Sequence, residues 1–171
     1  MKGKRLCIIR PPTLRKEWNY PTRNPKLEYM QFLVDRYKDE YFYISMADLE
    51  EEVEWLDEEL KGIDVKFHKG ELSMPMIFAL MKLSNMIICY PAFFMIAGIA
   101  LRAKTFAIFG GCSSPYASIE ESMGLANFSY AVPDPSCNCF LADHDCNKEI
   151  PEAVLIERFE ELRARGGGDG K

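Results

Sequence analysis

Short apolar runs without polar alternation recur along the chain, at residues 5–10, 41–46, 65–67, 86–90 and 105–109. A strand with one face in water alternates apolar and polar residues. One covered on both faces does not, so these runs suit a parallel sheet enclosed between helices. The segments between them carry helical spacing. In 25–38, Leu27, Met30, Leu33, Val34 and Tyr37 share a face, with Asn24 as the expected N-cap and Pro25 at the first helical position. After Asp48, a capping candidate, Leu49, Val53, Leu56 and Leu60 form a second stripe, and the acidic residues between Glu50 and Glu59 are read as its solvated face. Helices at 72–83 and 93–101, a sixth strand at 128–132 and a closing helix at 151–163 complete the alternation. The expected fold is α/β: a doubly wound, Rossmann-like parallel sheet of five or six strands, right-handed crossovers placing helices on both faces.

The 171 residues are 48% hydrophobic, enough for one globular domain with a substantial core, here assigned to 1–163 with a disordered tail at 164–171. A formal charge of −5 provides no global attraction for nucleic acid or an anionic membrane. The apolar run at 6–9 is too short for a signal peptide, and the longest apolar stretch, 86–101, contains Pro91 and Gly98 and falls short of a membrane span. A cytoplasmic location is therefore expected.

In such a sheet, ligands bind beyond the carboxyl ends of the strands, which directs attention to particular loops. Arg10, Thr13 and Lys16 follow the first strand, where cations and a hydroxyl suit a diphosphate; solvated charges around a packed Trp18 are the competing reading. His68 and Gly70 follow the third, before a helix whose N-terminus favours anions. Residues 90–95 offer an apolar wall. Gly110 and Gly111, with Ser113 and Ser114, can present N–H groups and hydroxyls to phosphate, or form an ordinary turn. A first-strand G-x-G-x-x-G is absent, so the usual dinucleotide fingerprint is missing.

Six cysteines are present; Cys7 and Cys89 lie in apolar runs and read as small buried hydrophobes. Cys137, Cys139, His144 and Cys146 lie within ten residues, so a structural zinc site, reduced thiols and a disulfide all stay open.

Four segments together resemble the C-terminal half of the heptosyltransferase-like, family nine glycosyltransferases of the two-Rossmann-domain GT-B architecture. They are Lys16-Glu17-Trp18; Gly70-Glu71-Leu72; the stretch 97–111, with its strand ending in Phe109-Gly110; and the cysteine-bearing tail with Ile150-Pro151-Glu152. The resemblance implies a nucleoside diphosphate sugar as donor, Lys16 at its diphosphate, one of Asp48, Glu50 or Glu51 at the ribose hydroxyls, and Gly110 and Gly111 close to the donor. Where the family carries Asp-Thr-Gly, this chain has Tyr90-Pro91-Ala92. The expected function is donor binding for sugar transfer to a hydroxyl acceptor, with a second domain, subunit or copy of the chain. The alternative is a non-catalytic assembly or binding module on the same half-fold.

Overall fold

A computed structural model describes residues 3–165 except 20, 21, 113, 114, 116, 117, 138 and 142, and at Trp18 the backbone only. The expectations for Ser113, Ser114, the Trp18 side chain and residues 166–171 thus lie outside the described residues. Six strands form one sheet: β1 (Arg5–Ile9), β3 (Tyr41–Met46), β5 (Val65–Phe67), β6 (Met86–Cys89), β7 (Thr105–Ile108) and β8 (Phe128–Ala131). Their order is β5-β3-β1-β6-β7-β8, and every neighbouring pair is parallel. This is the doubly wound Rossmann-type order, reversing between β1 and β6.

The period of two along each strand divides the core into two layers. Cys7 and Ile9 of β1, Tyr41 and Tyr43 of β3, and Phe106 and Ile108 of β7 face α1 (Leu27–Arg36) and α4 (Glu152–Ala164), packing on Met30, Leu33, Phe159 and Leu162. Ile8, Ile44, Ile87 and Ala107 face the opposite way, toward α2 (Met74–Leu83) and α3 (Phe93–Ala100), whose Met81, Phe94 and Met95 are buried there. Such double coverage is why the strands lack polar alternation. Burial pushes the Cys7 and Cys89 thiols well up from their usual range, as suits inert core residues. No helix among the described residues is long and apolar enough to cross a membrane.

Two local expectations are overturned. Asn24 does not cap α1, whose N-cap position is Lys26 without a side-chain cap. Asn24 is buried instead, and its Nδ2 donates to the Thr13 carbonyl at 2.8 Å, satisfying a buried acceptor in the loop after β1. Residues 49–60 form no helix. β4 (Glu54–Trp55) pairs antiparallel with β2 (Leu14–Arg15), a two-stranded ribbon beside the main sheet. Nor is the acidic run a uniformly solvated face, because Glu54 is buried between two arginines. That pairing, together with the bridge between Glu50 and Glu54, outweighs the weak helical stripe.

Candidate functional site

The strands deliver their C-terminal residues to one edge of the sheet, where a cavity of about 370 Å³ opens beyond β1, β3 and β5. Its lining includes Arg10, Asp48, Gly70, Glu71, Ser73 and Phe94. Arg10 leaves the end of β1 with its guanidinium paired to Glu54 and donating to the Met46 carbonyl at 3.3 Å. Asp48 follows β3 and forms an isolated bridge with Lys69. Gly70 adopts φ +68°, and a Cβ there would lie 3.3 Å from Asp48 Oδ1, so a glycine keeps this turn both left-handed and close to the carboxylate. The Lys69 N–H donates to Glu71 Oε2 at 2.7 Å, and this bond holds the Glu71 carboxyl below its usual range. Ser73 and Met74 bring the N-terminus of α2 to the same cavity as the Asp48 and Glu71 carboxylates, and its first-turn N–H groups, Pro75 having none, are an electropositive feature there.

The remaining expected residues are placed elsewhere. Thr13 is fully buried, and its Oγ1 shares a 3.0 Å hydrogen bond with the Tyr90 hydroxyl, which occupies the group expected to face phosphate. Lys16 is exposed and opens a 3-10 turn, Lys16–Trp18, its N–H donating to the Val53 carbonyl at 3.2 Å; it does not line the cavity. Glu50 and Glu51 are exposed on the turn before β4. His68 is 9% exposed and its Nε2 lies 2.9 Å from Ser45 Oγ, facing a neighbouring depression with Leu49 and Glu59; burial lowers its pKa and favours the neutral ring.

Gly110 and Gly111 are small for a reason internal to the fold. A Cβ at Gly110 would lie 2.1 Å from the Arg23 carbonyl oxygen, and one at Gly111 would lie 2.5 Å from Cys146 Cβ. The close approach is to the chain's own backbone and tail.

Glu54 and Ser73 escaped the sequence reading, and Glu71 entered it only within the Gly70-Glu71-Leu72 segment, with no role at the site. Glu54 carried no local signal, since its burial follows from the ribbon; Glu71 and Ser73 were legible only as residues opening a helix after a strand end.

The cysteine tail converges as its spacing allowed. One ligand atom from each of Cys137, Cys139, His144 and Cys146 falls within 4.8 Å of every other. A Leu141 N–H, 3.4 Å from Cys139 Sγ, draws that thiol down to about 7.

No family model matches the sequence, and a search of curated proteins finds no match. Solved structures share the fold. The E. coli ADP-heptose LPS heptosyltransferase II aligns over 95% of this chain and 47% of its own, with a TM-score of 0.62 and 13% identity. E. coli heptosyltransferase WaaC, solved with ADP-2-deoxy-2-fluoro heptose, aligns over 96% of this chain and 45% of its own, with a TM-score of 0.53 and 11% identity. The glycotransferase of kitacinnamycin aligns over 96% and 36%, with a TM-score of 0.52 and 10% identity. The chain spans about half the length of the two heptosyltransferases. Strand order, layer arrangement and these alignments agree: the chain has the fold of a heptosyltransferase-like GT-B half-domain.

Proposed function

We propose that this chain is a donor-binding half, corresponding to the C-terminal Rossmann domain of a GT-B glycosyltransferase, and that it holds a nucleoside diphosphate sugar in the 370 Å³ cavity. The observation carrying the reading is the position of that cavity: it lies at the strand ends of a sheet with this order and is lined both by an acid following β3 and by the N-terminus of α2. Asp48 suits the ribose hydroxyls, which donate to a carboxylate, and the first-turn amides of α2 suit a diphosphate oxygen. In transfer, an acceptor hydroxyl oxygen bonds to the anomeric carbon while the bond from that carbon to the diphosphate oxygen breaks. The nucleoside diphosphate departs with the electron pair, and the hydroxyl proton passes to a base on a second domain, subunit or copy. Of the cations expected to offset charge on the leaving group, Arg10 lines the cavity but is paired with Glu54, and Lys16 lies outside it, so that role rests on Lys16 only if the bound diphosphate extends toward the ribbon. A single domain over 1–163, acting in the cytoplasm, belongs to the same reading.

A second reading has its own observation. Met74, Met76, Phe93 and Ile96, from α2 and α3, are each about half exposed, an apolar surface suited to an assembly module that has kept the fold without the chemistry. A thermal-shift screen of nucleoside diphosphates and their sugars separates the two. Donor binding predicts a raised melting temperature with one base and a smaller rise for Asp48→Ala. If no nucleotide shifts the wild type, the donor reading fails, and sedimentation of the chain then tests self-association.

A further inference from the structure

The segment between β8 and α4 has little to hold it by burial. Phe140 is 61% exposed and Leu141 59%, and the path from Val132 to Ile150 contains no helix or strand among the described residues. Yet its chain is closely docked. The Phe140 N–H donates to the Cys112 carbonyl at 3.1 Å, Thr22 Oγ1 to the Leu141 carbonyl at 3.3 Å, and Cys146 Cβ abuts Gly111. Something other than apolar area has to order it.

Cys137 Sγ lies 3.4 Å from His144 Nδ1, Cys139 Sγ 3.4 Å from Cys146 Sγ, and His144 Nδ1 3.3 Å from Cys146 Sγ. Tetrahedral zinc, with bonds of about 2.3 Å to sulfur and about 2.0 Å to nitrogen, requires sulfur–sulfur edges of about 3.8 Å and sulfur–nitrogen edges of about 3.5 Å. These three edges, at 3.3–3.4 Å, are close to those of that shell, and every ligand atom lies within 4.8 Å of the others. We infer that Cys137, Cys139, His144 and Cys146 form a closed structural zinc site that staples the 137–146 segment onto the turn after β7.

Three thiolates and an imidazole leave no open position, so the ion has no direct role with substrate. Their net charge with Zn²⁺ is −1, and Lys148 stands within electrostatic reach of Cys146. Cys112, the fourth thiol on this side, is not one of the four converging ligands. The staple fixes the same turn that presents the Gly111 and Cys112 N–H groups to the Thr22 carbonyl, at 3.0 and 3.2 Å. Metal loading is thereby coupled to order at the strand-end loops, independently of whether a nucleotide binds.

The test uses the full chain, purified under reducing conditions. Elemental analysis should find about one zinc per chain after dialysis, and cobalt added to the chelator-stripped protein should give the visible bands of a tetrahedral thiolate site. His144→Ala and Cys139→Ser should abolish those bands, whereas Cys112→Ser should leave them unchanged. Chelation should lower the melting temperature by roughly 5 °C or more and speed hydrogen exchange at Gly111 and Cys112. Should a variant fail to fold, the cobalt titration of the wild type decides alone. The inference is overturned if the reduced wild-type chain retains no stoichiometric metal and shows no tetrahedral cobalt spectrum, or if Cys139 and Cys146 are found joined as a disulfide that reductant and zinc do not displace.

Discussion

Arg10 reaches from the end of β1 to the carboxylate of Glu54 on β4, and both side chains are largely withdrawn from water. The pair ties the ribbon to the sheet, and Glu54 Oε2 also forms an ion pair with Arg15 Nε at 3.1 Å. Removing one partner leaves the other charge buried without compensation. Glu54→Ala should therefore cost about 3 kcal/mol in urea unfolding. Arg15→Ala should cost under about 1 kcal/mol, since that side chain is nearly half exposed and screened.

If the cavity beyond β1, β3 and β5 holds the nucleotide, Asp48→Ala removes a charged acceptor from the ribose and should weaken nucleotide affinity about tenfold by calorimetry, with stability little changed. Lys16→Ala should weaken it less, because Lys16 does not line that cavity. Equal losses at both positions would place the diphosphate nearer the ribbon than proposed.

His68 supplies a pH dependence of known sign. Burial lowers its folded pKa below the ordinary value of 6.5, so the unfolded chain binds the proton first as pH falls. Stability from this residue is complete above about 6.5 and declines as pH drops from there toward the lowered folded value. Unfolding at fixed urea between pH 7 and pH 5 should show that decline, and His68→Gln, which can still hydrogen-bond Ser45, should flatten it.

Gly110→Ala tests whether the turn after β7 is built for the chain's own packing. Its Cβ would meet the Arg23 carbonyl oxygen at 2.1 Å, a backbone atom that cannot rotate aside. A loss of about 1–3 kcal/mol is expected in thermal unfolding even without nucleotide. An unchanged melting temperature would restore the reading in which this glycine makes room for a ligand.

All six main-sheet strands and four helices were legible because each has a local signature: apolar runs for strands covered on both faces, and a stripe at helical spacing for α1. The cysteine cluster was legible too, since ligands separated by one to four residues can converge through a local turn. The stretch 49–60 misled because Leu49, Val53, Leu56 and Leu60 satisfy a helical template while the decisive contacts lie with Leu14 and Arg15, some forty residues earlier.

Residue types and their spacing were thus enough to specify a parallel, doubly covered sheet and to point at its carboxyl edge, because burial on both faces and helical periodicity act over a few neighbouring residues. Which groups at that edge remain available to a ligand was settled only by packing between distant segments. Thr13 went to Tyr90, Asn24 to the Thr13 carbonyl, Arg10 to Glu54, and the space beside Gly110 and Gly111 to Arg23 and Cys146. Each outcome meets one requirement, that a buried polar group find a partner and buried space be filled, and those partners are long-range in sequence.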